Sequence, residues 1–352
     1  MPRAPAMAAP ADLTPRRLRA WLAARGEPAY RVEQILAWAY RRRVASFADM
    51  RNVPRPLREG LAADFTLPTL RPATVLISAD GTRKLLFQLD AQAAVESVLI
   101  PDPPRLTLCI SSQAGCGMGC AFCATARLGL RRNLSPAEIV GQVLAAYDVL
   151  TPGERVTNLV FMGMGEPLAN YESLVQAIEI LTADWGVGFS GRRITVSTVG
   201  LVPAMERLVR ETPVNLAVSL SGTTDAQRDG LMPVNRRYPL ARLMAMCRAL
   251  PVPQRRRITF EYVMLADVND SVDDAQRLAR LLRGIRSKVN LIPFNPFPGS
   301  GFASSSPATV RRFQEQLLAA GVHATVRQSR GQDIQAACGQ LALAGRPTAA
   351  AE

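Results

Sequence analysis

The chain has 352 residues, with 42 Lys+Arg against 29 Asp+Glu, a formal net charge of +13 and 48% hydrophobic residues. That composition excludes an intrinsically disordered chain, and six cysteines are too few for a disulfide-stapled secreted scaffold. The basic excess asks for a polyanionic partner, nucleic acid or an anionic membrane surface, without choosing between them. The opening MPRAPAMAAP carries Pro2, Pro5 and Pro10 and no apolar core, so no secretory leader is expected. No apolar run approaches the roughly 20 residues that span a bilayer. A cytosolic protein with reduced thiols is the expectation. Among the basic residues only Lys84 and Lys288 are lysines, a bias read as coding composition rather than as a phosphate-binding adaptation.

Residues 11–63 read as helical, because Leu18, Trp21 and Leu22, then Val32, Ile35, Leu36 and Ala39, recur at helical spacing. Arg41, Arg42 and Arg43 close this stretch near a helix C-terminus, where positive charge suits the dipole. Arg16, Arg17, Arg19, Arg25 and Arg31 form either a phosphate-gripping face or an ordinary solvated one. From Thr74 short β segments follow: TVLISAD and KLLFQLD around the turn-like Asp80-Gly81, then AAVESVLIPD. After Arg105 strand-like runs at 106–112, 158–163, 193–198, 214–220, 258–265 and 288–294 alternate with helical stretches. Those stretches are 135–150, 170–183, 201–210, 239–250, 271–286 and 307–320, and Ser135 with Glu138 has capping-box spacing ahead of the first. Such repeats predict an α/β fold with a parallel sheet covered by helices, either open and doubly wound or curved into part of a barrel. Both place the active site at the C-terminal ends of the strands. A last β-like run, HATVRQ (323–328), leads into a Gly- and Ala-rich tail.

At the end of the first core strand stands Cys116-Gly-Met-Gly-Cys120-Ala-Phe-Cys123, a C-x3-C-x2-C spacing. Three soft thiolates on one loop suit an iron–sulfur cluster or a zinc site. Structural zinc wants four protein ligands, and the sole histidine, His323, is remote in sequence. Three ligands suit a [4Fe–4S] cluster with one iron left open, and glycines at 115, 117 and 119 let the loop approach an inorganic body closely. This spacing resembles the signature of the radical S-adenosylmethionine (SAM) superfamily, in which the SAM amino and carboxylate groups chelate the open iron. Gly163-Met164-Gly165-Glu166-Pro167 is similar to the superfamily's SAM-contacting motif, with Gly165 permitting close backbone approach and Glu166 able to pair with the SAM ammonium.

Cys109 in TLCISSQAGC and Cys338 in RGQDIQAACGQL would each, alone, read as a small buried hydrophobe, as Cys247 in LMAMCRAL does. Their surroundings, with VESVLIPD, MGMGEPLANY, RRITVSTVGLVPA, LMPVNRRYP, EYVMLADVNDS and NLIPFNPFPG, closely resemble the RlmN/Cfr family of adenosine methyltransferases from about Ser78 to Leu341. That resemblance implies a partial (β/α)6 radical-SAM barrel with a small helical N-terminal domain and short β extensions. The corresponding divisions are 1–64 (basic, RNA-binding), 65–104 (β-rich), 105–321 (core) and 322–352 (carrying the methyl-accepting cysteine). It implies one [4Fe–4S] cluster on Cys116, Cys120 and Cys123 and two SAM molecules per turnover, one as methyl donor and one as radical source. Cys338 would carry the methyl group as S-methylcysteine, Cys109 would resolve the protein–RNA adduct through a transient Cys109–Cys338 disulfide, and Glu96 would be the base near the adenine. The bland alternative for Glu96 is a surface glutamate. SAM contacts would come from Gly165, Glu166, Ser197, Ser219, Leu220, Ser221 and Asn295. Ser221 departs from the family, which has histidine there, and GTTDAQRDG departs beside it.

Chemistry points the same way, since an sp² adenine carbon is a poor nucleophile toward SAM and a radical route is needed. Gly165-Glu166-Pro167 and the Asn295 to Gly299 run are similar to the branch methylating adenosine C2 rather than C8. The implied partners are 23S rRNA, some tRNAs and an electron donor such as a flavodoxin-type reductase system. No membrane is involved and nothing demands more than a monomer. The net charge suits RNA held through its phosphates, with the target adenine turned out of its stack. A radical SAM enzyme acting on another substrate, or a non-catalytic RNA binder with a structural metal, would leave the Cys109 and Cys338 pair without a purpose.

Overall fold

The computed structural model describes residues 11–343. Residues 1–10, on which the expectation of no leader rests, and 344–352, the end of the Ala-rich tail, lie outside the described residues. The N-terminal region is three helices, Pro15–Ala23, Tyr30–Tyr40 and Arg55–Asp64, with a 3-10 turn at Phe47–Asp49. Thr14 caps the first helix on the Arg17 amide and Pro15 opens it, where a missing N–H costs nothing. Leu18, Leu22, Val32, Ile35, Leu36 and Ala39 are buried as their spacing predicts, whereas Trp21 is only half-buried and donates its indole N–H to Asp64. The arginine face is largely spoken for. Arg19 pairs with Glu179, Arg25 with Asp64 and Arg31 with Glu27, while Arg43 pairs with Asp148 and Arg41 donates to the Asp184 carbonyl. Three of these contacts, from Arg19, Arg41 and Arg43, clamp the helical region onto the core; Arg16 and Arg17 stay exposed.

A ten-stranded sheet organises the rest. In chain order its strands are β1 (Thr74–Ile77), β2 (Arg83–Gln88), β3 (Ala94–Asp102), β4 (Arg105–Cys109), β5 (Asn158–Phe161), β6 (Ile194–Thr198), β7 (Asn215–Ser219), β8 (Ile258–Met264), β9 (Ser287–Pro293) and β10 (Ala324–Val326). β1 to β4 form an antiparallel meander, and from β4 to β10 every neighbour is parallel. Strand order follows chain order without reversal, which decides between the two architectures the sequence left open. A doubly wound sheet reverses direction once so that helices cover both faces. Here each right-handed crossover advances the same way, so the helices Pro136–Tyr147, Tyr171–Thr182, Val202–Glu211, Leu240–Ala249, Val272–Leu281 and Pro307–Ala319 share one outer face, and the twisted sheet curls into part of a barrel. The Ser135/Glu138 capping box forms as expected.

The first core strand ends at Cys109 rather than continuing to residue 112. Beyond it the chain is held by side chains instead: the Ser111 amide donates to Gln142 Oε1 (2.9 Å) and the Ser112 carbonyl accepts from Asn170 Nδ2 (2.9 Å). A helix not expected from its sequence, Asp225–Leu231, starts within GTTDAQRDG and runs one residue past it, with Thr224 capping the Gln227 amide.

Candidate active site at the strand ends

Gln113–Gly115 pairs with Leu130–Asn133 in a ribbon that brackets the cysteine loop and its short helix Ala124–Arg127. The Cys116 amide donates to the Gly129 carbonyl, and a Cβ on Gly115 would lie 1.8 Å from that same oxygen. Gly115, at φ +77°, is therefore required by the ribbon itself. Cys116, Cys120 and Cys123 line one cavity together with Gly165, Glu166, Ser197, Ser219, Asn295 and Cys338. Burial pushes the Cys116 thiol up to about 11 and raises Cys120 and Cys123 as well, and Cys123 adds a further upward push to the other two. Thiols that oppose each other's ionisation call for a cationic body to hold them as thiolates.

Among the described residues no group of three His, Cys, Asp or Glu side chains closes on a point suited to a single ion. A larger body of iron and inorganic sulfur spanning the loop fits this all-thiol donor set.

The other residues expected at the site divide. Glu166 is buried; one carboxylate oxygen accepts from the Leu168 amide (3.0 Å) and the other from the Val199 amide (2.9 Å), and burial pushes its carboxyl up to about 7. Ser197 and Ser219, at the ends of β6 and β7, face the cavity. Leu220 and Ser221 are fully buried and do not line it. The Ser221 hydroxyl accepts from the Val263 amide and its carbonyl accepts from Asn269 Nδ2, so this side chain knits the loop to β8. Asn295 is engaged with the C-terminal segment: its Nδ2 donates to the Cys338 carbonyl (3.1 Å) and its Oδ1 accepts from Gln332 Nε2 (2.8 Å).

Cys338 borders a second, adjoining cavity as well, and there it meets Cys109, Val98 and Ile100. The two thiols are free and face the same space. Burial first, and the neighbouring Cys338 second, push the Cys109 thiol up to about 12, while Arg327 pulls it down. The Cys338 segment is tied down by Ala124 N–H to the Gly339 carbonyl (2.7 Å), Thr125 Oγ1 to the Leu341 carbonyl (2.6 Å) and Gly331 N–H to Asp80 (2.9 Å).

Glu96 is not a surface glutamate. It is fully buried on β3, paired with Lys84 (3.0 Å), and its Oε2 accepts from the Leu343 amide (3.0 Å). It lines neither cavity.

Two residues the sequence reading passed over belong to the wall. Glu261 interrupts the apolar run of β8 and is buried against the first cavity, its Oε1 accepting from Asn290 Nδ2. Arg327 follows β10 and borders both cavities. A charge inside an apolar strand was the available signal for Glu261, and the strand-end position was the one for Arg327.

A partial barrel with three cysteines on the loop after its first parallel strand defines a radical SAM protein. Residues 110–282 match the radical SAM superfamily, and residues 11–67 match the ribosomal RNA large subunit methyltransferase N-terminal domain. The chain is 55% identical over 342 residues to the dual-specificity RNA methyltransferase RlmN of Anaeromyxobacter dehalogenans, covering 96% of this chain and 92% of the relative. It is 54% identical over 325 residues to the protein of that name from Geobacter sulfurreducens, covering 92% and 89%. The chain belongs to the RlmN family. The crystal structure of a radical SAM methyltransferase from Sphaerobacter thermophilus matches with a TM-score of 0.85 at 48% identity, covering 94% of this chain and 98% of that one. Superfamily membership implies a [4Fe–4S] cluster and SAM. No described helix is long and apolar enough to cross a membrane.

Proposed function

We propose that the protein methylates C2 of adenosine in 23S rRNA and in some tRNAs, using two SAM molecules per turnover. Cys338 attacks the methyl group of the first SAM: its sulfur–carbon bond forms, the SAM carbon–sulfonium bond breaks and the thiol proton leaves. Cys116, Cys120 and Cys123 would hold a [4Fe–4S] cluster, which when bound would supply the electron that splits a second SAM into methionine and a 5′-deoxyadenosyl radical able to take hydrogen from the Cys338 S-methyl group. Gly165, Glu166, Ser197, Ser219 and Asn295 line the space for SAM, with Leu220 and Ser221 acting through backbone and loop packing.

Once the Cys338 methylene has bonded to the ring carbon, that carbon loses a proton; Glu96 is its acceptor in this scheme, which requires the Leu343 amide that covers its carboxylate to withdraw. The ring gives up its unpaired electron, which the oxidised cluster, when bound, would take back, and Cys109 then loses its thiol proton and attacks the Cys338 sulfur. The disulfide forms as the S–C bond breaks, and the released carbon takes the electron pair and a proton to become the methyl group. External reductant returns the disulfide to two thiols, which requires a reducing cytoplasm.

The observation that carries this reading is the position of Cys338 on a wall shared by two cavities, with Cys116 and Cys120 on one side, Cys109 on the other and Cys123 bordering both. Residues 1–64, with Arg16 and Arg17 outside the ion pairs, hold RNA through phosphates. Residues 65–104 brace the 105–321 core, and 322–352 present Cys338. A flavodoxin-type system delivers electrons to a monomer.

The test is mass analysis of Cys338-containing peptides from protein isolated with its cluster. Methylated Cys338 in the wild type, and a covalent RNA adduct on Cys338 accumulating in Cys109→Ala, are expected. An unmethylated Cys338 in an actively methylating enzyme would overturn the scheme.

A further inference from the structure

Arg228, on the helix Asp225–Leu231, is the largest fully buried side chain among the described residues. Its guanidinium makes no ion pair there. All its acceptors are neutral: Nε donates to Asn235 Oδ1 (3.1 Å), Nη1 to the Ser219 (3.1 Å) and Leu220 carbonyls and toward Met232 Sδ (3.7 Å), and Nη2 to the Val199 carbonyl (3.2 Å). Asp225 and Asp229 act on the guanidinium without bonding it and accept hydrogen bonds from the Asn235 amide instead. A buried cation satisfied in hydrogen bonds but not in charge is expensive unless an anion lies nearby.

The cysteine loop lies against this site. The Ala121 amide, between two of the cluster cysteines, donates to the Leu231 carbonyl at the end of Arg228's own helix (2.9 Å), and Met232 and Val199, both touched by the guanidinium, line the cysteine cavity. Burial draws the Arg228 guanidinium down to about 10, and Cys120 is the strongest of the groups acting to keep it charged.

We infer that Arg228 is a positioning residue for the cluster, its fixed buried charge compensating the thiolate loop and raising the cluster's reduction potential. This inference rests on the reading of Cys116, Cys120 and Cys123 as cluster ligands. Reduction places one electron from an external one-electron donor on the cluster, with no bond made or broken in the protein. The reduced form carries one more negative charge, so a nearby cation stabilises it more than the oxidised form. At an effective dielectric of about 20, a unit charge within about 10 Å changes a one-electron equilibrium roughly tenfold, about 59 mV.

The experiment is a dithionite titration of the reconstituted holoprotein with low-potential mediators, followed by electron paramagnetic resonance. Arg228→Gln keeps an amide donor for the strand-end carbonyls and loses the charge; Arg228→Lys keeps the charge and loses the fork. A potential lowered roughly tenfold in equilibrium in Arg228→Gln and near wild type in Arg228→Lys is expected. An unchanged potential in Arg228→Gln, or an equal fall in both, would overturn the inference. Should Arg228→Gln fold yet assemble no cluster while Arg228→Lys does, charge compensation is supported; loss from both overturns it. A wild type that binds no cluster refutes the ligand assignment instead, so the two failures are distinguishable.

Discussion

Asn295 joins the end of β9 to the segment that carries Cys338, and Asn295→Ala removes both of its hydrogen bonds at once. The Cys338 carbonyl and Gln332 Nε2 then lose a partner in a site where Asn295 itself is only 2% exposed. A hydrogen bond is worth about 1 kcal/mol net, and a stranded buried partner costs about 1–3 kcal/mol, so undocking of the segment becomes easier by roughly 2–4 kcal/mol. That is roughly a 30- to 1,000-fold rise in the open population. Hydrogen exchange read by mass spectrometry should show faster exchange confined to 331–343, with the barrel strands unchanged, together with slower methyl loading of Cys338. Asn295→Asp keeps an acceptor for Gln332 but no donor for the Cys338 carbonyl, and should fall between. Wild-type protection across 331–343 in Asn295→Ala, or a uniform loss of protection across the whole chain, would refute the docking role.

Three further outcomes follow from the same contacts. Glu166 has its carboxyl raised to about 7 by burial, so between the ordinary carboxylate range and pH 7 the folded state holds a proton that the unfolded state has lost. Cluster-free protein should therefore lose up to about 3 kcal/mol as pH rises through that window and level off above it, and urea unfolding of Glu166→Gln should lack this slope; parallel pH profiles would contradict it. Lys84→Met strands the buried Glu96 carboxylate and should destabilise by about 3–5 kcal/mol, with Lys84→Met/Glu96→Gln recovering part of the loss; no recovery would show that charge is not the cause. Gly165 sits at φ +99° with Gln113 atoms 2.5–2.8 Å from any added Cβ, so Gly165→Ala should cost about 1–3 kcal/mol in urea unfolding and weaken SAM binding. A variant indistinguishable from wild type in both measurements would show that the segment yields freely.

Much of the barrel was legible because its strands are near-continuous apolar runs of the right length and its helices carry ordinary caps. The choice between a doubly wound sheet and a barrel was not, since strand order is a long-range property that spacing does not encode. The cysteine loop, Cys109 and Cys338 could be singled out by type and surroundings, but the sharing of a wall by two cavities arises from the return of the chain after β10. Arg16, Arg17, Arg19, Arg25 and Arg31 looked alike in sequence, and only packing against Glu27, Asp64 and Glu179 separates the structural ones. Arg228 was hidden for a related reason. Arginine reads as solvent-facing, and its helix lies in the stretch that departs from the family pattern.

The central claim is that a methyl group passes through Cys338 to C2 of adenosine. Nucleoside mass analysis of RNA treated with the reconstituted enzyme, SAM and reductant tests it most directly. The wild type should yield 2-methyladenosine and Cys338→Ala none. Either 8-methyladenosine from the wild type or undiminished 2-methyladenosine from Cys338→Ala would contradict it.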